Sequence, residues 1–404
     1  MNERGPNGAD RATEERLPRR DWILLPCVFL GTAILLGGSA ELVARLIFTQ
    51  SPAGVEQCIV SNDATTGARG IPNSVCYEKS LETGIIEYKF NSCGYRAGME
   101  CGPKPAGVYR IVMTGSSVAM AAHVQQQDSI AALLPEALSK KTGRAVELYN
   151  ESMAWGFSHS VTLRFKDVLA ARPDLILWIL TPTDVQRSSL VLPTTGDIGQ
   201  WHSESQAERL WLHTKAILGS GSGMGSIVDL FGRSRTAFVF RKFLYQSPSL
   251  YLKTSLAESD EDAGFLRDPM SSLWKEHLEQ FDSDASTIET KARDAGVPFV
   301  AAYLPNHPQV DMVSIGTWPN GFDPYQLDDK LRSIIESHGG TFIDLLPEFQ
   351  VIPNLERYYL PVDGHPNSEG HAVLTGLLAK QLTSGVVPEL SAKGETRVGS
   401  SGVR

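Results

Sequence analysis

Tyr109 to Ser117 reads YRIVMTGSS: an apolar run of strand length, a glycine, and two serines where the chain turns. Around it a pattern repeats. Asp128 to Lys141 carries Ile130, Leu133, Leu134 and Leu138 on one face of a predicted helix, with Pro135 inside as a kink and Gly143 at its stop. Val146 to Tyr149 is a second predicted strand, and Ser158 caps a helix that turns Val161, Phe165, Val168 and Leu169 inward. Leu175 to Leu180 (LILWIL) is apolar at every position, as a strand is when both faces of its sheet are covered. The pattern pauses after Asp184. It resumes with a helix from Ser271 to Arg293, a strand from Pro298 to Tyr303, a helix presenting Leu327, Leu331, Ile334 and Ile335, a strand from Thr341 to Leu345 and a last helix from Ser368 to Leu382. This alternation predicts an α/β three-layer sandwich around a central parallel sheet. Crossovers should be right-handed, and ligands should bind beyond the carboxyl ends of the strands.

The rest of the chain sets the compartment. It has 404 residues and a formal net charge of −9, which argues against nucleic acid as a partner. Residues 1–21 form a polar tail. Trp22 to Ala40 follows, nineteen residues without a charge. As a helix it spans about 28 Å, close to a bilayer's hydrocarbon core. Arg16, Arg19 and Arg20 precede it and only Arg45 follows closely, so the tail is expected in the cytoplasm and the rest on the periplasmic or extracytoplasmic side of a plasma membrane. A cleavable signal peptide ending at Gly38-Ser39-Ala40 is the competing reading, and it exports the same residues. Cys27 lies in the apolar span. Cys58, Cys76, Cys93 and Cys101 crowd into a lead-in, residues 41–106, that reads as loop-rich. In an exported chain they suggest two disulfides, and the closest pairings, Cys58–Cys76 and Cys93–Cys101, close the shortest loops. A zinc site lacks the paired Cys-x-x-Cys spacing it would need. Residues 107–384 make the main domain, with an insertion at 185–265, and 385–404 make a polar, disordered tail.

Two segments carry chemistry. Ser117 sits at a strand-to-helix turn, where helix N-terminal amides can stabilise an oxyanion. Asp363-Gly364-His365-Pro366-Asn367 precedes the last helix, and a histidine held by a carboxylate can take a serine proton.

With those residues in place, Tyr109 to Leu382 resembles the SGNH/GDSL hydrolase superfamily. Arg110 to Ser117 resembles its first block, Glu147 to Gly156 its second, Pro173 to Asp184 its third, and Asp363 to His371 its last, in that order. Asn91 to Arg96 resembles the lead-in of membrane-anchored relatives. The resemblance implies a flavodoxin-like fold, Ser117 as nucleophile, His365 as base, Asp363 as its orienter, and an oxyanion hole of Ser117, Gly156 and Thr183, without a cofactor or a metal. Three positions depart from the pattern. Thr183 stands where the family has asparagine, so a hydroxyl replaces an amide donor. Gly156 comes one residue late, with Ser152 as a stand-in. The acid and base are spaced Asp-x-His, as in some glycan O-acetyltransferases of the superfamily.

The resemblance and the compartment together imply an O-acylated glycan as substrate. A lipid or thioester hydrolase at the membrane face is one rival; a catalytically impaired carbohydrate-binding or envelope-assembly protein is another. His371 reads as structural rather than as half of a metal pair, His307 as a surface loop residue that could touch substrate, and Asp184 either as orienting the loop of the third block or as a helix cap, with no chemical role. The insertion mixes Trp201, Trp211, Phe231, Phe238, Phe240, Phe243, Tyr245 and Tyr251 with Arg233, Arg235, Arg241 and Lys242. It could cap the site, lie against the membrane, or be an ordinary helical excursion.

Overall fold

The computed structural model describes residues 20–51, 53–63, 67–186, 234–257 and 260–391. Trp201, Trp211, Phe231 and Arg233 of the insertion, Arg16 and Arg19 of the N-terminal tail, and residues 392–404 lie outside the described residues.

The first helix, α1 (Asp21–Ile47), is long and apolar enough to cross a membrane. It runs past the expected end at Ala40. Glu41 and Arg45, one helical turn apart, pair at 2.8 Å, so the added turns hold no unpaired charge.

The lead-in is not the run of loops its composition suggested. It folds as two antiparallel hairpins, β1 (Ile59–Asp63) with β2 (Gly67–Gly70), and β3 (Val75–Lys79) with β4 (Ile85–Lys89). Alternation on β4 turns Ile86 and Tyr88 inward and Ile85, Glu87 and Lys89 outward. Cys58–Cys76 and Cys93–Cys101 are both joined, the pairing expected from loop length. The small core between the hairpins continues into Met120, Ala122 and Met153 of the main domain.

The main sheet holds β5 (Val108–Thr114), β6 (Ala145–Asn150), β7 (Leu175–Leu180), β8 (Phe299–Tyr303) and β9 (Thr341–Asp344). Its order is β6-β5-β7-β8-β9, all parallel, which is the predicted flavodoxin-like arrangement. Val112 of β5 stands beside Tyr149 of β6 and Ile176 of β7. All six residues of β7 are fully buried. Ile176, Trp178 and Leu180 face the core under α4 (Ser158–Ala170) and a long helix at Ser272–Asp294; Leu175, Leu177 and Ile179 face the core under α3 (Ile130–Thr142) and the last helix. At about 1.5–3 kcal/mol for each fully buried large apolar side chain, β7 is the strand the sheet can least afford to lose.

Short α2 (Ser117–Met120) and α5 (Pro182–Val185) cap the carboxyl ends of β5 and β7. The described part of the insertion is helical: α6 (Arg235–Leu244), α7 (Pro248–Ser255) and α8 (Asp260–Ala263). Then come α9 (Ser272–Asp294), α10 (His307–Ile315), α11 (Gln326–Ser337) and α12 (Ser368–Gln381). Ser158 is the first residue of α4, not its cap; its hydroxyl donates to Asp284 instead (2.7 Å). Order also continues beyond Ser384, where Val387 and Leu390 pack into the core.

Candidate active site

The turn after β5 is made by three local demands. Gly115 has φ +152°, and a Cβ there would meet the Ile179 carbonyl at 2.6 Å, so only glycine fits so close to β7. Ser116 donates its hydroxyl to Asp184 (2.8 Å). The same carboxylate oxygen accepts from the Thr181 N–H (2.9 Å) and hydroxyl (2.6 Å), so Asp184 caps α5 and ties it to the serine turn. Burial pushes Asp184 up to about 6 despite these bonds. The next residue, Ser117, is the first of α2 and is only partly buried.

Opposite lies the Asp363–Pro366 turn. Gly364, at φ +85°, takes the left-handed conformation between Asp363 and His365, whose side chains meet. Leu360 and His365 hold the turn closed by backbone hydrogen bonding (2.8 Å), and the Asn367 side chain caps α12. His365 Nδ1 lies 2.6 Å from Asp363 Oδ1, and its Nε2 lies 2.8 Å from Ser117 Oγ. For Nε2 to accept from the hydroxyl, the ring proton must sit on Nδ1, where the carboxylate holds it. Residues 117, 363 and 365 thus form one continuous relay.

The relay has supports that the sequence reading missed. Glu82, in the turn between β3 and β4, accepts from the N–H groups of Val362 (3.2 Å) and Asp363 (2.7 Å). His123 Nε2 lies 3.4 Å from the second oxygen of Asp363, and its Nδ1 lies 3.5 Å from Glu78 of β3. One carboxylate therefore serves two imidazoles, whose rings meet edge to face at 5.4 Å. His123 itself is held at φ +64°, with its N–H donating to the Tyr88 hydroxyl (2.9 Å). The loop that carries it is clamped by Arg96. That guanidinium is fully buried and donates to the carbonyls of Met120 (2.9 Å), Ala121 (2.6 Å), Val124 (2.7 Å) and Glu87 (3.1 Å).

Charges follow from these contacts. Burial works against ionisation of Asp363, but the bonds from His123 and His365 outweigh it and hold the carboxyl well below the usual carboxylate range. Burial opposes protonation of His123; its bond to Asp363, with the charges of Asp363, Glu78 and Glu82, reverses this and raises its pKa. His123, Asp363 and His365 are also close enough together to hold a metal ion. The hydrogen bonds described already account for the grouping.

Ser117, Thr183 and His365 open onto one cavity of about 240 Å³, walled by Tyr251, Trp274 and Tyr359. Thr183 is exposed on α5, beside the serine turn. Gly156 is not in this wall. Its N–H is committed to the Met153 carbonyl (2.9 Å), and its near neighbours are Met153 and the buried Arg164. Ser152 is fully buried and does not line the cavity either. His307 is not a surface residue: it is 1% exposed, stacked between Tyr251 and Tyr359 at 3.9 and 4.8 Å. Burial drives its pKa down to about 3, so it is a neutral part of the wall. His371 is buried and accepts the Ile130 N–H (3.4 Å), a packing role. A larger cavity, about 600 Å³, lies between Tyr95, Tyr149 and the Cys93–Cys101 bridge and includes none of the relay.

No family model matches this chain, and no curated protein matches it. Solved structures with a similar fold include TesA, at 12% identity and a TM-score of 0.35, covering 68% of this chain and 97% of that one. The lipase/acylhydrolase from Enterococcus faecalis is also similar at 12% identity and 0.35, covering 68% and 95%. The psychrotrophic esterase EstA from Pseudoalteromonas follows at 11% and 0.33, covering 68% and 96%. Likeness this distant assigns no substrate to this chain.

Proposed function

We propose that this chain is a membrane-anchored ester hydrolase or acyltransferase that works through an acyl-Ser117 intermediate on the extracytoplasmic side. The observation that carries this is the Ser117–His365–Asp363 relay, 2.8 and 2.6 Å, opening onto a cavity. His365 Nε2 takes the Ser117 proton as Oγ attacks the ester carbonyl carbon. The Ser117 N–H and the Thr183 hydroxyl receive the oxyanion. The imidazolium then protonates the leaving alkoxide. Water or a sugar hydroxyl, deprotonated by the same nitrogen, attacks the acyl-enzyme and restores Ser117. Asp363 stays ionised throughout and keeps the ring in the required tautomer.

The size of the cavity bears on the acyl group. About 240 Å³ falls below the roughly 300–1,000 Å³ of sites that enclose drug-sized ligands. An acetyl group fits such a space, which supports an O-acetylated glycan as the substrate.

The test is labelling with a serine-reactive organophosphonate, mapping of the modified residue, and a panel of acetyl against long-chain esters. Label at Ser117, preference for acetyl, and a loss of kcat/KM exceeding about a thousandfold in Ser117→Ala are expected. Label at Ser116 would move the nucleophile. No label and no turnover would leave a binding protein with an esterase-like relay.

A further inference from the structure

We infer that α6 and the start of α7 form a shoulder embedded in the lipid layer beside α1, with Phe240, Phe243 and Leu250 inserted among the lipids. These side chains are 63%, 71% and 42% exposed. On a helix in water the aromatic residues would turn inward and the basic ones outward. On α6 only Phe238 follows this rule: Phe240 and Phe243 face outward, while Arg241 and Lys242 are half-buried. Arg241 lines a cavity that also contains Glu82 and Asp363, and the Lys242 charge acts on Glu82.

The position of α6 names the occupant of this face. Glu41, the first charged residue after the uncharged stretch ending at Ala40, serves as an external cap for α6. Its carboxylate accepts from the Ser234 hydroxyl (2.7 Å) and from the N–H groups of Arg235 (3.0 Å) and Thr236 (2.9 Å). Phe48 meets Phe238 edge-on at 5.6 Å. The N-terminus of α6 is thus fixed at the depth where the apolar span of α1 ends. A helix start in a weakly hydrated layer must have its free N–H groups satisfied by protein. Glu41 does this for α6, and Pro248 at the start of α7 has no N–H to satisfy. The apolar surface of α1 continues over the same turns, with Leu42, Leu46 and Ile47 all more than half exposed. One lipid layer covers both faces.

The test uses the full chain in phospholipid vesicles, with Cys27→Ser removing the one unpaired thiol among the described residues. A nitroxide on Phe243→Cys is compared with one on Val351→Cys, which is 82% exposed. Power saturation reads collision with oxygen against collision with a water-soluble nickel chelate. A several-fold higher oxygen-to-nickel ratio at 243 than at 351 is expected. Equal ratios would put α6 in water and overturn the inference. Low access to both probes would also overturn it, by showing the face covered by residues 187–233 or by a second copy of the chain. Repeating the measurement at Phe240→Cys and Leu250→Cys makes the result independent of the folding of any one variant.

Discussion

Ser117 and His365 meet at 2.8 Å, yet the two turns that present them are held in different ways. The serine turn is built from the sheet itself. Gly115 lies against β7, and Asp184 on α5, just after β7, bonds back to Ser116 within a buried cluster. The histidine turn is partly exposed and leans on Glu82 of the lead-in at its backbone and, at its carboxylate, on His123, whose own partners Glu78 and Tyr88 belong to the lead-in hairpins. Ser117 is thus held by the fold core. His365 depends on a hairpin turn that lies 281 positions before its neighbour Asp363.

Three substitutions probe this difference. Asp184→Ala should have the largest effect, because it leaves buried Ser116 and Thr181 donors without an acceptor. Each buried donor left without an acceptor costs about 1–3 kcal/mol. A large fall in melting temperature together with loss of activity is expected; a variant with unchanged stability would show that the serine turn is not held from β7. Thr183→Val should keep the fold and lower kcat by about 10²-fold if its hydroxyl meets the oxyanion. Steady-state kinetics that match the parent would remove Thr183 from the site.

His123→Gln should be mildest, with kcat down by about tenfold or less, KM little changed, and the fold intact. Its effect on stability should depend on pH. The folded pKa of His123 is raised above its ordinary 6.5. The stabilisation is therefore fully present below that value and is lost as pH rises through the higher folded value. The gap in melting temperature between parent and variant should be widest below the ordinary histidine value and should narrow as pH rises above it. A gap that widened with pH would reverse the assignment of charge.

The same division explains what could be read in advance. Strands β5 to β9 were legible because LILWIL and its neighbours are apolar on both faces, which few arrangements other than a covered parallel sheet permit. Ser117, Asp363 and His365 were legible from short local patterns at strand and helix ends. Gly156 was misplaced because spacing along the chain does not say where an N–H points, and this one closes a turn on Met153. His123 carried no signal at all. It is a lone histidine in an irregular turn, and its partners come from β3 and from Asp363, 240 positions away. The hairpins were obscured by the Gly, Pro and Cys of the lead-in, although alternation in Ile85–Lys89 was there to be read.

Arg96 has a consequence for any attempt to trim the chain. A fragment beginning at residue 107 would keep every member of the relay but would strip the guanidinium from the carbonyls of Met120, Ala121 and Val124. Those oxygens would then face either bare hydrocarbon or invading water, and the segment between nucleophile and second imidazole would lose its shape. The parallel-sheet domain is accordingly tied to the lead-in through Arg96, and shortened versions should keep the hairpins rather than begin at the start of the parallel sheet.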